Sequence, residues 1–211
     1  MKPEAPVMLD LFSGLGGASQ AMTARGWNVI RVDNEVRRRT QVKGALLPHV
    51  VADVRALPLR PFWVDLLWSS PPCTDFTRWH LRHWKGNVSK PPLELVRAAL
   101  ETVARFRPRF WCIENVRGAV PFLGPPDAVF GPYFLWGHLP LVLWDGQAKR
   151  KGDSRLPHVR SRVPWNVSEA IALAVERCAG GQGVQERLAS LTRCGHLLNK
   201  VSRLRGEDAA A

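Results

Sequence analysis

Apolar residues along this chain fall in short continuous runs, with helix-spaced stretches between them. Residues 7–12, 28–33, 49–53, 63–70 and 110–116 read as five strands. Between them, 16–26 predicts a helix ended by Gly26, 35–44 a strongly basic helix, and 93–106 a helix with one apolar face. Continuous apolar strands separated by helices predict an α/β fold, a parallel sheet covered on both faces. Ligands of such sheets sit at the carboxyl ends of the strands, beside the switch in strand order.

Beyond Val116 the pattern changes. Residues 117–165 are rich in proline and glycine, and two short apolar runs, 133–137 and 139–144, predict a strand pair held between loops. Residues 167–179 predict an amphipathic helix. In 180–211, Val184, Leu188, Leu191, Leu198 and Val201 fall near one helical face, with Arg and Lys elsewhere. The chain therefore divides into a core (1–116), a condensed loop segment (117–165), a helix completing the core (166–179) and a basic helical tail (180–211).

Charge narrows the choice of partner. Thirty Lys and Arg against 18 Asp and Glu give a net charge of +12 and a pI near 10.6, as expected of a protein that binds a polyanion. No apolar run approaches the roughly 18 residues of a membrane span, and no signal-peptide core follows Met1, which predicts a cytoplasmic protein without a membrane partner. Cys73, Cys112, Cys178 and Cys194 show no zinc-ligand spacing, so no metal is expected. Cys112 lies inside a predicted strand, where a thiol is inert. Cys73 instead follows two prolines just beyond a strand, where a packing role does not account for it.

Every strong polar signal sits at a predicted strand end. The first is DLFSGLGG, Asp10 to Gly17, a glycine turn after the first strand that lets backbone approach a ligand. Asp33 closes the second strand and Asp53 the third. Three carboxylates along one sheet edge suit a nucleoside with hydroxyls and an exocyclic amine; they would repel a phosphate chain.

DLFSGLGG, SSPPCTDFT and IENV occur in an order and spacing that resemble the cytosine-5 DNA methyltransferases, over roughly 7–116 with a weaker echo at 157–176. The resemblance implies an S-adenosylmethionine-dependent methyltransferase acting on DNA, with a Rossmann-like α/β fold whose mixed, mostly parallel sheet carries helices on both faces. Cys73 would add to carbon 6 of cytosine, and a protonated Glu114 would bond the ring edge, with burial raising its pKa. Asn115 would brace the strand–loop junction. Cofactor contacts would come from Asp10, Phe12, Ser13, Gly14, Gly16, Gly17 and Pro71, with Asp33 or Glu35 on the ribose and Asp53 on the adenine amine. The segment 156–164 fits two family elements, so Arg160 or Arg162 would bond the base, or the segment would belong to the late element before the last helix.

Family members carry a long target-recognition domain, but here only about 40 residues separate Val116 from Pro157, too few for an independent domain. The chain resembles the compact phage-type members. Recognition would then fall to the loop segment (Arg117, Trp136 and His138 among its candidates) or to a second copy in a dimer. Residues 74–92 resemble the mobile loop that closes over double-stranded DNA, with Arg78, Trp79, His80, Arg82, Trp84 and Lys85 as contacts. Buried chemistry on cytosine requires the base to leave the stack. Methylation of RNA, or binding without catalysis on the same fold, are the competing expectations.

Overall fold

The computed structural model describes residues 4–35, 46, 48–81, 89–144, 162–178 and 184–208. Strands β1 (Val7–Leu11), β2 (Asn28–Asp33), β3 (Val50–Val51), β4 (Leu66–Ser69), β5 (Phe110–Asn115), β6 (Ala128–Phe130) and β7 (Tyr133–His138) form one sheet. Its order is β3-β2-β1-β4-β5-β7-β6. The first five strands run parallel, and β7 pairs antiparallel with both β5 and β6. The chain travels outward from β1 to β3 and then crosses back to β4. The carboxyl ends of β1 and β4 therefore flank the switch point, where a crevice opens.

Among the described residues the helices are α1 (Gln20–Ala24), α2 (Thr74–His80), α3 (Glu94–Phe106), α4 (Val120–Leu123), α5 (Trp165–Arg177) and α6 (Val184–Asp208). Side chains alternate across the strands. Leu9, Leu11, Leu67, Trp111 and Ile113 face one core with α3 and α6 residues, while Met8, Leu66, Trp68 and Cys112 face the other with α1 and α5 residues. Both faces are covered, which is why the strands read as unbroken apolar runs rather than alternating ones.

Several expected elements differ. The first helix is confined to Gln20–Ala24, because turns occupy the residues from Phe12 to Ser19. The third strand shrinks to two residues at the sheet edge. The run 139–144 forms no strand: Pro140 has no N–H for a ladder, and Leu141 and Leu143 are 83% and 66% exposed. The partner of β7 is instead the shorter β6, joined to it by a tight turn at Gly131 and Pro132. The basic helix expected over 35–44 lies almost wholly outside the described residues.

The tail is part of the core. Ser190, Cys194, Leu197 and Val201, spaced by four, three and four residues, form the buried line of α6. The Trp111 indole donates to Ser190 Oγ (3.0 Å) and the Cys194 thiol to the Leu100 carbonyl (3.4 Å). Burial pushes the Cys194 thiol up to about 11. Among the described residues no helix is long and apolar enough to cross a membrane.

Candidate active site

The glycine turn after β1 is braced from several sides. Phe12 holds a left-handed φ of 54°, a conformation that costs a non-glycine residue about 1 kcal/mol or more. Ser13 N–H donates to the Val32 carbonyl (3.0 Å) and Gly16 N–H to the Ser13 carbonyl (2.7 Å). The buried Asp33 carboxylate accepts from Gly14 N–H (3.0 Å) and from Glu35 N–H (3.1 Å). Asp33 thus positions the turn directly, a role not read from the sequence. Packing of the protein itself requires glycine at 16 and 17. A Cβ on Gly16 would lie 2.4 Å from Leu46 Cβ, and one on Gly17 2.5 Å from Arg162 Cγ.

A second turn leaves β4 through Ser70, Pro71 and Pro72 to Cys73. The Asn115 amide donates to the Pro71 carbonyl (3.0 Å) and its oxygen accepts from Val116 N–H (2.9 Å). Asn115 therefore ties the ends of β4 and β5 together, as expected. Cys73 caps α2, its carbonyl accepting from Thr77 N–H and Thr77 Oγ1 (both 2.9 Å). Helix α2 sits so close to Gly118 that a Cβ there would lie 2.1 Å from the Phe76 carbonyl oxygen.

Two cavities of about 270 Å³ each open along this edge. The first is lined by Asp10, Ser13, Cys73, Glu114, Tyr133 and Arg162, among others, and the second by Asn34, Asp53, Arg55 and Glu94. Phe12 and Pro72 line both and form the partition between them.

The electrostatics of the first cavity favour a neutral acid. Burial drives Glu114 up to about 7, against a smaller downward pull from the Ser70 hydroxyl. Burial and then the Glu114 charge raise the Cys73 thiol above its ordinary value, outweighing its hydrogen bonds at the start of α2. Protonation of Glu114 removes the second of these costs. Arg78 and His80, the basic residues nearest Cys73 along the chain, are not among the groups that shift it. Arg78 is exposed and pairs with Asp75 at 3.9 Å. In the second cavity the Arg55 guanidinium and backbone amide hold the Asp53 carboxyl down at about 2.

Two side chains expected to meet DNA need correction, and others lie outside the described residues. Trp79 packs edge-on against Phe122 (5.8 Å) because 74–80 is a packed helix rather than a loop. Trp136 is fully buried, donating to the Gly124 carbonyl (2.8 Å). Arg117 is exposed at the end of β5. Arg82, Trp84, Lys85 and Arg160 lie outside the described residues. No group of three metal-ligating side chains forms among the described residues.

The family model of C-5 cytosine-specific DNA methylases matches residues 7–122. The chain belongs to that family. No curated protein matches it. Among solved structures, it is similar to a DNA modification methyltransferase encoded within an E. coli prophage, at 24% identity and a TM-score of 0.39, over 55% of this chain and 33% of that one. It is also similar to the PH0226 protein of Pyrococcus horikoshii OT3 (17% identity, 60% and 57% of the two chains, TM-score 0.36) and to the Entamoeba histolytica methyltransferase EhMeth (17%, 55% and 39%, TM-score 0.38). The chain thus spans about a third to three-fifths of the length of these structures.

Gln20, Ser70, Pro132 and Tyr133, all around the first cavity, were not singled out from the sequence. Tyr133 donates to the Arg162 carbonyl (3.1 Å), and Gln20 bonds both Arg162 and Val163. Ser70 is adjacent to Cys73 in the same motif and was within reach of a motif reading. The other three come from distant parts of the chain.

Proposed function

We propose that the chain transfers a methyl group to carbon 5 of cytosine in double-stranded DNA, with S-adenosylmethionine as donor. One observation carries this reading: Cys73 and Glu114, on turns and strand ends of neighbouring β4 and β5, line one cavity in which Glu114 titrates near neutrality.

The paired cavities fit the donor. Two lobes with an aromatic partition suit a nucleoside joined to an amino-acid arm, and their acids complement its hydroxyls, amine and positive charge. Phe12 would pack on the adenine, Asp53 would accept from its amine, and Asp33 or Glu35 would take the ribose hydroxyls. Asp33 accepts from Gly14 N–H at one oxygen and from Glu35 N–H at the other, which holds its carboxylate beside the glycine turn. Asp10, Ser13, Gly14 and Pro71 would line the arm. The donor supplies an electrophilic methyl group on a sulfonium centre.

Carbon 5 of cytosine is too weak a nucleophile to take that methyl unaided. Cys73, as thiolate, bonds to carbon 6 and pushes electron density toward carbon 5. Neutral Glu114 donates its proton to ring nitrogen 3 as charge builds there, and the resulting carboxylate accepts from the exocyclic amine. After methyl transfer water takes the carbon 5 proton, the sulfur–carbon bond breaks to release the Cys73 thiolate, and ring nitrogen 3 returns its proton to Glu114. The cytosine must be flipped to reach this site, with exposed Arg78, His80 and Arg117 holding the flanking backbone.

The test is incubation with methyl-labelled donor and DNA or RNA duplexes, followed by nucleoside mass spectrometry. 5-Methylcytosine from DNA is expected. Label in RNA alone, or on another atom, would overturn the substrate assignment.

A further inference from the structure

The first cavity is lined by two acids, Asp10 and Glu114, and among the described residues lining it Arg162 is the sole cation. Its place is fixed by contacts from three directions. The side chain lies over the glycine turn, its Cγ only 2.5 Å from where a Gly17 Cβ would stand. Its Nη2 donates to Gln20 Oε1 (3.2 Å), and Gln20 Nε2 in turn donates to the Val163 carbonyl (2.9 Å). The Arg162 carbonyl accepts from the Tyr133 hydroxyl (3.1 Å). Thus α1 holds the guanidinium, and β7 holds the backbone that carries it.

This charge pattern matches a zwitterion better than a base. An amino-acid arm brings an ammonium and a carboxylate, and acids on the cavity wall can meet only the first. The carboxylate needs a cation, and a guanidinium offers it paired N–H donors. A cytosine presents only neutral acceptors to that group. The position over Gly17, against the turn assigned to the donor's arm, favours the same choice.

We infer that Arg162 anchors the α-carboxylate of the sulfonium donor, so that the segment before α5 serves the donor rather than the flipped base. This rests on the donor assignment made above, and the test separates the two. Calorimetry on the full chain compares S-adenosylmethionine with its decarboxylated analogue, which lacks only the group in question. Arg162→Gln should weaken the first about 10- to 100-fold, as loss of a hydrogen bond to a charged group does, and leave the second within about twofold. Arg162→Lys, which keeps the charge, should fall between. Equal loss of both ligands would reduce Arg162 to a packing role, and loss of neither would move it to the base side; each overturns the inference. Wild-type protein that binds neither ligand would overturn the donor assignment itself, and the inference with it.

Discussion

Glu114 and Asp53 stand on the same carboxyl edge of one sheet and meet opposite fates. Glu114, desolvated against the first cavity, titrates near 7; Asp53 is clamped by Arg55 down to about 2. Desolvation with no cation in direct contact favours the neutral acid, and a guanidinium in direct contact favours the anion. The edge is thereby divided into a half that can exchange a proton near neutrality and a half whose charge is constant. Phe12 and Pro72 mark the division.

The sharpest break of this contrast lies at the reactive half. Cys73→Ser should lose methyl transfer by about 10⁴-fold or more, because a serine hydroxyl hardly ionises, while donor affinity stays near wild type. DNA carrying 5-fluorocytosine should trap the wild type as an adduct on Cys73, and mass spectrometry finding the adduct elsewhere would sink the assignment. Glu114→Gln should keep donor binding but lose about 10²–10⁴-fold in turnover. A variant with near-normal turnover would make Glu114 an ordinary strand-end carboxylate.

The same substitution should act on stability in the opposite sense. The folded-state pKa of Glu114 is raised, so the neutral form stabilises the fold fully below the ordinary glutamate range and this contribution is lost as pH climbs through about 7. Glutamine loses nothing over that window. Glu114→Gln should therefore be more stable than wild type by about 1–3 kcal/mol at pH 8, with little difference near pH 4, by urea denaturation. A pH-independent gap would remove burial as the cause of the shift. The smallest effect belongs to the other half. Asp53→Ala should weaken donor binding about tenfold, by the same factor at pH 5 and pH 8, since Asp53 stays ionised throughout. A pH-dependent factor would erase the contrast.

What could be read in advance divides along similar lines. Cys73, Glu114 and Asn115 follow continuous apolar strands in contiguous motifs, so their placement at neighbouring strand ends required only the parallel-sheet rule. Glu114's raised pKa was foreseen because burial beside apolar residues follows from the strand itself. Trp79 and Trp136 were misread because an aromatic beside basic residues looks the same in sequence whether it faces a nucleic acid or packs on Phe122. The second strand pair was misplaced because 128–130 is short and polar-flanked, while the stronger apolar run at 139–144 is interrupted by Pro140. Gln20, Tyr133 and Arg162 meet only after β7 folds back along β5, and no local pattern encodes that encounter.

Gly118 carries a mechanical consequence. Helix α2 rests there on bare backbone, and the same helix begins at the sulfur-bearing residue. Position 118 acts as a shim of fixed thickness beneath the nucleophile. One added methyl group would lift the helix and carry Cys73 with it, while Glu114, fixed in its own strand, stays where it is. Reacting groups tolerate misalignment of only a fraction of an ångström before rate is lost. An alanine at 118 would therefore detune the pair without altering the charge or polarity of either cavity.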